Sequence, residues 1–328
     1  MTSSITIAND LVHESFQIPG REDDIKLQLI HRYHKDTKVF SGEKTIMLMH
    51  GATFASASLF DVPLEGGSFM DILARAGFDV WAVDARGYGG STKPLALSEP
   101  ANANPPQTPA VVAEKDLADA IEYICQRQGI TQTHLIGMSW GGSVAGLYAS
   151  RHPQRIHKLV LIAPLWLSEQ PLRIDNGSEL TAWRDISLAG AYEAWLAEVP
   201  EQARDTFLPI SDFGKWLEAT RNSNVGMSEF DVIRAPAGPI ADIRNHWRAG
   251  QPLYDPEAIT SATLIVHAEW DRDVSLDMVR DLFGRLRNAD YRRWVEIGCG
   301  THRVLLEPQR RQAHDAVIDF LSDSRSTV

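Results

Sequence analysis

Cysteine is scarce in this sequence, whose 328 residues include only Cys125 and Cys299. Two cysteines cannot build a disulfide framework, which indicates a protein of a reducing compartment. Long apolar runs are also missing, since none approaches the roughly 18 residues needed to cross a bilayer. The first residues, MTSSITIANDLVHESFQ, have neither the basic region nor the apolar stretch of a secretory signal. These absences predict a cytoplasmic protein without a membrane partner.

Basic residues are outnumbered in the chain. It holds 32 lysines and arginines against 43 aspartates and glutamates, for a formal net charge of −11. The summed field of such a chain repels phosphates, which argues against nucleic acid or an anionic membrane as the main partner. Hydrophobic residues make up 44% of the sequence, enough to bury a large core. The chain therefore has room for one large α/β domain with an insertion, or for two ordinary domains.

Short apolar runs recur along the chain, and each ends near Gly, Asp, Ser or Pro. Helical patterns separate them, an alternation typical of a parallel sheet covered by helices on both faces. Two partly alternating segments near the start, ESFQIP and IKLQLIHRY, add antiparallel strands. The sequence predicts a mostly parallel sheet of eight strands flanked by helices. The six later runs span residues 44–51, 78–87, 133–139, 158–164, 262–271 and 292–298.

One segment interrupts this alternation. From Trp166 to about Thr260 no run reads as a convincing strand, whereas several stretches have helical spacing. We therefore expect a helical lid, or cap, at 165–260, inserted between strands 6 and 7. Residues 1–164 and 261–328 would together form the core.

A candidate nucleophile lies between a predicted strand and a predicted helix. Gly137-Met138-Ser139-Trp140-Gly141 fits the G-x-S-x-G elbow, in which a sharp turn presents the serine hydroxyl above the sheet. Glycines suit the turn because a Cβ at 137 or 141 would crowd the strained backbone. The alternative is a glycine-rich strand-to-helix turn with a passive serine. A serine needs a base, and the base needs an orienting carboxylate.

Candidates for both partners follow strands later in the chain. In elbow-type hydrolases the order is serine, acid, histidine, and ligands bind at the carboxyl ends of the strands. The run ATLIVHAEWD ends at Asp271, with Asp273 as a rival. The last predicted strand is followed by His302 in a glycine-rich loop. We expect His302 to be the general base, with the pKa of about 6.5 of free imidazole.

The charge that develops on a reacting carbonyl oxygen needs two backbone N–H donors. One would be the amide of Trp140, at the positive end of the elbow helix. The other would come from the loop after MLMHG, either from Ala52 or, less simply, from Thr53. His50 would brace that loop, with a functional contact as the alternative.

Five motifs in the same order resemble the α/β-hydrolase fold family, in its serine esterase type with a helical lid: HGATF, DARGYGGS, GMSWGG, HAEWD and GCGTHRVLLE. The resemblance implies that Asp271, three residues beyond Ala268, is the triad acid rather than Asp273. Serine at 139 speaks against the family's epoxide hydrolases and dehalogenases, whose nucleophile is aspartate. The predicted reaction requires no metal and no cofactor.

The predicted function is hydrolysis of a carboxylic ester of a small to medium, hydrophobic or aromatic small molecule. Thr53 and the lid tryptophans Trp166 and Trp183 are expected to bind it. One alternative is a proline iminopeptidase-like amidase or peptidase, in which an acidic lid residue such as Glu198 or Glu201 would hold a substrate ammonium. A ligand receptor on a hydrolase scaffold is another. The oligomeric state stays open.

Overall fold

A twisted sheet of nine strands forms the centre of the protein in the computed structural model, which describes residues 3–8, 10–224 and 231–324. A separate pair of strands lies within the segment 165–260, called the insertion from here on. The strands are β1 Ser3–Ala8, β2 Leu11–Pro19, β3 Lys26–His34, β4 Thr45–Met49, β5 Asp79–Val83, β6 Thr133–Met138, β7 Ile156–Ile162, β8 Trp183–Ser187, β9 Val232–Pro236, β10 Ala262–Ala268 and β11 Arg292–Ile297.

The main sheet has the order β1-β2-β3-β5-β4-β6-β7-β10-β11. From β5 to β11 every neighbouring pair is parallel, whereas β1, β2 and β3 continue the sheet in antiparallel pairing. This confirms the predicted mostly parallel sheet, to which β1 adds an edge strand beyond the eight expected. Parallel strands end at one edge, so the loops after β4, β6, β10 and β11 meet there.

Helices cover both faces of the sheet. The central strands are apolar throughout because alternate side chains enter different cores: Met47 and Met49 of β4 join one buried cluster, and Ile46 and Leu48 the other. The first cluster packs under α3, α4 and α9, and the second under α2 and α10. The helices are α1 Ala57–Phe60, α2 Phe69–Arg75, α3 Ala110–Gln128, α4 Trp140–Arg151, α5 Ala191–Leu196, α6 Arg204–Phe207, α7 Ile210–Ser223, α8 Gly238–Asp242, α9 Leu276–Arg285 and α10 Arg310–Ser322.

None of the helices in the described part of the chain combines the length and the apolar character needed to cross a bilayer.

The insertion connects β7 to β10 and is not purely helical. The expectation that it has no strand is wrong, because β8 and β9 pair antiparallel, with Trp183 opposite Pro236 and Ser187 opposite Val232. Both strands are short and carry charged residues, and their partners lie about fifty residues apart along the chain. A pairing of that separation has no local turn signal, which is why sequence periodicity misses it.

Candidate active site

Ser139 occupies the turn between β6, which ends at Met138, and α4, which begins at Trp140. Its backbone has φ 58° and ψ −125°, a region that costs a non-glycine residue about 1–3 kcal/mol. The Ser139 N–H donates to the carbonyl of Ile162 in β7 at 2.9 Å, which ties the turn to the neighbouring strand. The fold therefore holds the serine in a conformation that it would not adopt by itself.

The glycines on either side of Ser139 are needed for close packing. A Cβ at Gly137 would lie 2.2 Å from the carbonyl oxygen of Gly141, and one at Gly141 would lie 2.2 Å from that of His50. The second contact joins the elbow to the loop after β4. Crowding was expected within the turn itself, whereas at Gly141 it arises against this neighbouring loop.

Three of the predicted residues form one chain of hydrogen bonds. His302 Nε2 lies 2.9 Å from Ser139 Oγ, and His302 Nδ1 lies 2.9 Å from Asp271 Oδ2. The other carboxylate oxygen of Asp271 accepts from the backbone N–H groups of Asp273 and Val274, each at 2.8 Å. With both oxygens engaged, Asp271 presents a fixed acceptor to the imidazole. Asp273 lies beside the site, but its buried Oδ1 has no hydrogen-bond partner in the described residues.

Burial and charge act in opposite directions on His302. Burial lowers its pKa, but the adjacent Asp271 carboxylate more than offsets this, and Asp273 and Glu198 add to the effect, so that the pKa rises to about 9. The contact with Asp271 therefore shifts the pKa of His302 above the expected 6.5. Burial raises the pKa of Asp271, yet His302 and the Val274 N–H hold it below its usual value. Each partner's charge thus favours the charged form of the other.

The loop after β4 lies beside Ser139, where a Cβ on Gly51 would be 3.4 Å from the Ser139 Cβ. His50 braces this loop: Ala85 N–H donates to its Nε2 at 3.1 Å, and its Nδ1 lies 2.8 Å from the Gly51 carbonyl. Burial lowers the pKa of His50, which keeps the ring neutral. Tyr88 holds the loop from the other side through a 2.9 Å hydrogen bond to the Ala52 carbonyl. Ala52 is thus fixed next to the serine.

Ser139 and His302 open into a cavity of about 310 Å³ between the sheet edge and the insertion. Ala52 and Thr53 also line it, whereas Trp140 is fully buried beneath the elbow and its side chain takes no part in the lining. Most of the wall is apolar. The larger apolar side chains are Phe54, Leu59, Met138, Leu165, Leu172, Ile174, Ile186, Trp216 and Leu306.

The structure does not bring Trp166 and Trp183 to the cavity. Trp166 is fully buried below it, with its Nε1 donating to Asp281 at 2.7 Å. Trp183 donates to the Glu99 carbonyl and packs under Arg234. Trp216 is the insertion tryptophan that lines the cavity in the described structure. Tryptophan content predicted an aromatic insertion but could not tell inner-core rings from cavity-facing ones.

Glu198 lines the cavity and is neutralised within it. Its Oε1 contacts Arg303 at 2.8 Å and Arg173 at 3.2 Å, and the carboxylate is buried. Its other oxygen accepts weakly from the His302 N–H at 3.4 Å. Glu201 is exposed and is absent from the cavity lining. Neither carboxylate is presented as a free partner for a substrate cation.

The insertion is hydrogen-bonded to both arms of the site. Asp242 accepts from the Trp140 indole at 2.8 Å, and Trp140 is the residue next to Ser139. Trp195 donates to Glu307 at 2.7 Å, and Glu307 in turn accepts from Thr301, the residue before His302. Sequence reasoning missed Asp242 because a polar residue in a helical segment looks like any solvated one until its neighbours are known. It missed the role of Glu307 because the motif GCGTHRVLLE does not show which side chains this loop carboxylate contacts.

No cluster of three or more His, Cys, Asp or Glu side chains that could hold a metal ion occurs in residues 3–8, 10–224 and 231–324.

The chain matches the family model described as alpha/beta hydrolase fold over residues 44–308. This range includes the elbow, the acid turn, the histidine loop and the insertion. It covers most of the sequence. The chain belongs to the alpha/beta hydrolase fold family.

Curated relatives share part of this chain. Lipase member N from Mus musculus is 27% identical over 222 residues, which are 62% of this chain and 54% of that lipase. The lysosomal acid lipase/cholesteryl ester hydrolase from Homo sapiens is 25% identical over 238 residues, 63% of this chain and 55% of that enzyme. The chain thus spans about half the length of these relatives.

Solved structures share the fold at lower identity. A membrane phospholipase A, described as a bacterial virulence factor, has a TM-score of 0.62 and 19% identity, covering 96% of this chain and 88% of its own. A bromoperoxidase from Bacillus anthracis has a TM-score of 0.63 and 17% identity, covering 94% of this chain and 100% of its own. At such identities the likeness concerns the fold.

Proposed function

We propose that this alpha/beta hydrolase is a serine esterase that cleaves a carboxylic ester of a small to medium, hydrophobic or aromatic molecule through an acyl-enzyme. The observation that carries the proposal is the hydrogen-bonded chain Ser139–His302–Asp271, with 2.9 Å at each link, opening into a largely apolar cavity. A nucleophile, its base and an orienting acid in this arrangement are what acyl transfer requires.

In the proposed reaction, Ser139 Oγ attacks the acyl carbon while His302 Nε2 takes the hydroxyl proton. Asp271 orients the imidazole and stabilises the imidazolium that forms. The backbone N–H groups of Ala52 and Trp140 would donate to the oxyanion. His302 then returns the proton to the departing alcohol oxygen. A water molecule, deprotonated by His302, cleaves the acyl-enzyme and restores Ser139.

The cavity supports a compact substrate. Its volume of about 310 Å³ lies at the lower end of small-molecule sites, and its wall is largely aliphatic with Phe54 and Trp216. Several relatives are named as lipases or as a cholesteryl ester hydrolase, which favours ester chemistry. The size of the cavity favours a short acyl chain over a triglyceride.

The two alternatives have weaker support. An aminopeptidase of the iminopeptidase kind needs a free carboxylate for the substrate ammonium, but Glu198 is shared by Arg173 and Arg303. A receptor without turnover would have no use for a serine held at φ 58° within reach of a base. Ester hydrolysis uses both the strained serine and the base beside it.

The proposal is tested by turnover and by covalent labelling. 4-Nitrophenyl esters of increasing acyl length should be hydrolysed faster than matched anilides and thioesters, and a fluorophosphonate probe should label the parent. Ser139→Ala should stay folded, lose labelling and lower kcat by about 10⁴-fold or more. Labelling and turnover that survive in Ser139→Ala, or faster cleavage of anilides by the parent, would overturn the proposal.

A further inference from the structure

Arg184 is the one cavity-lining cation without a carboxylate partner in the described part of the chain. Arg173 and Arg303 line the same cavity, but each contacts Glu198. Arg184 has no carboxylate oxygen within 4.0 Å among the described residues, although its neighbours on the small sheet, Asp185 and Arg234, pair with each other. A half-buried charge without a counter-ion costs free energy unless something compensates it.

The hydrogen bonds of Arg184 leave most of its guanidinium unused. A guanidinium has five N–H donors. Nη2 donates to the Ala52 carbonyl at 3.0 Å and to Thr53 Oγ1 at 2.8 Å. Nε is buried without a partner, and no bond from Nη1 is formed within the described residues. Burial lowers the pKa of Arg184, with Tyr88 acting in the opposite direction, as expected of a cation that lacks a counter-ion.

The position of Arg184 connects it to the reaction site. Nη2 contacts the carbonyl of Ala52, the residue whose N–H is the proposed oxyanion donor. An anion bound at the guanidinium would therefore sit close to the reacting carbonyl. The opposite charge at the cavity, Asp273, acts on the His302 side, where it helps to raise the histidine pKa.

We infer that Arg184 is a specificity-determining residue that binds a carboxylate of the substrate, so that the preferred ester carries a carboxylate group beside its apolar part. The inference rests on the proposed esterase function for its kinetic test. Thr53, whose hydroxyl already contacts Arg184, completes the polar end of the cavity. The same chemistry serves a carboxylate on the acyl side or on the alcohol side of the ester.

The experiment compares substrates that differ in one charge. On the acyl side, 4-nitrophenyl hemiadipate is compared with 4-nitrophenyl methyl adipate, both read by nitrophenol release. On the alcohol side, 4-acetoxybenzoate is compared with methyl 4-acetoxybenzoate. Rates are corrected with the Ser139→Ala background. The parent should show a higher kcat/KM for the charged member of at least one pair.

Replacing the cation should remove that preference. Arg184→Met should lower kcat/KM for the preferred charged ester by roughly 10- to 100-fold more than for its neutral partner, the size of a lost hydrogen bond to a charged group. The change should fall mainly on KM. Arg184→Lys, which keeps the charge, should retain part of the preference for the charged ester. An equal loss of kcat/KM on charged and neutral esters would show that Arg184 only stabilises the loop at Ala52 and Thr53, and would overturn the inference.

A matched control separates local binding from general electrostatics. Arg234→Met removes a cation from the same small sheet, but Arg234 is exposed, packs on Trp183 and pairs with Asp185. It should leave the ratio of charged to neutral kcat/KM unchanged. A ratio that falls equally in both variants would mean long-range attraction and would contradict a site at Arg184.

Binding without turnover distinguishes the two proposals. Calorimetric titration of Ser139→Ala with the hemiadipate and with its methyl ester should show tighter binding of the anion, lost in Ser139→Ala/Arg184→Met. If the anion binds in this way but no ester is turned over by the parent, the esterase proposal fails and the anion site stands. If esters are turned over without any charge preference in rate or binding, the anion site fails alone.

Discussion

Trp140 and Asp242 connect the strand-to-helix turn at Ser139 to the insertion: the indole Nε1 of Trp140 donates to Asp242 Oδ2 at 2.8 Å. The same oxygen accepts from the backbone N–H of Ala110, the first residue of α3, at 2.7 Å. Both side chains are buried. One carboxylate oxygen therefore satisfies a donor beside Ser139 and an otherwise unpaired donor at a helix start.

Removing this acceptor should destabilise the protein and the elbow. Asp242→Leu leaves two buried donors unpaired, at about 1–3 kcal/mol each, whereas Asp242→Asn keeps an acceptor oxygen. We expect the leucine variant to lose several kcal/mol of unfolding free energy in urea, and the asparagine variant to lose clearly less. Equal losses in the two variants would show that the hydrogen bonds contribute little.

The charge of Asp242 also predicts a pH effect. Burial raises its pKa from 3.8 to about 6, so the folded protein holds this proton more tightly than the unfolded chain. Stability from this group is present below pH 4 and is lost as the pH rises through 6, by about 3 kcal/mol in total. The parent should therefore lose stability relative to Asp242→Asn between pH 4 and 7. Parallel pH curves for the two proteins would contradict this.

The pH dependence of the reaction should reflect the raised pKa of His302. Only the neutral imidazole accepts the serine proton, so kcat/KM on a neutral ester should rise from pH 7 toward a midpoint near 9. The free energy of unfolding changes in the opposite direction. The stabilisation that comes from the raised pKa of His302 is fully present below about pH 6.5 and is lost as the pH rises through 9. A kcat/KM that no longer rises above pH 6 would contradict a base with the raised pKa of His302.

Asp271 and Asp273 differ in their contacts, and their variants should differ accordingly. Asp271 touches the imidazole at 2.9 Å, while Asp273 acts on it only through its charge. Asp271→Asn should cost on the order of 10⁴ in kcat, as loss of the orienting carboxylate does in serine proteases. Asp273→Asn should cost less than about tenfold and shift the acid limb of the pH profile downward. The reverse ranking would identify Asp273, rather than Asp271, as the carboxylate that orients His302.

Substrate preference should depend on Trp216 rather than on Trp166 or Trp183. Trp216 lines the cavity, with Phe54 packed edge-on against it at 5.4 Å between ring centroids. Trp216→Ala should change KM and the preferred acyl length while fluorophosphonate labelling of Ser139 persists. Trp183→Ala, outside the cavity, is the matched control and should leave the acyl-length profile of the parent in place. The same profile in all three proteins would show that the insertion does not select the acyl group.

The sequence alone predicted the features that are local in the chain. Each central strand is a continuous apolar run because both of its faces are buried, and the elbow is a glycine-bracketed serine at a strand end. Ser139, Asp271 and His302 each follow the carboxyl end of a strand, namely β6, β10 and β11. Since parallel strands end at one edge, these positions already predicted that the three residues would meet.

The tertiary structure decided what depends on contacts between distant segments. The pairing of β8 with β9, the neutralisation of Glu198 by Arg303, and the hydrogen bond from Trp140 to Asp242 each join residues tens of positions apart. The same holds for Arg184, whose sequence neighbours do not mark it as a cavity residue. A charged or aromatic side chain in the insertion has the same local pattern whether it faces solvent, core or cavity. Its surroundings, and hence its pKa and its partners, exist only once the chain has folded.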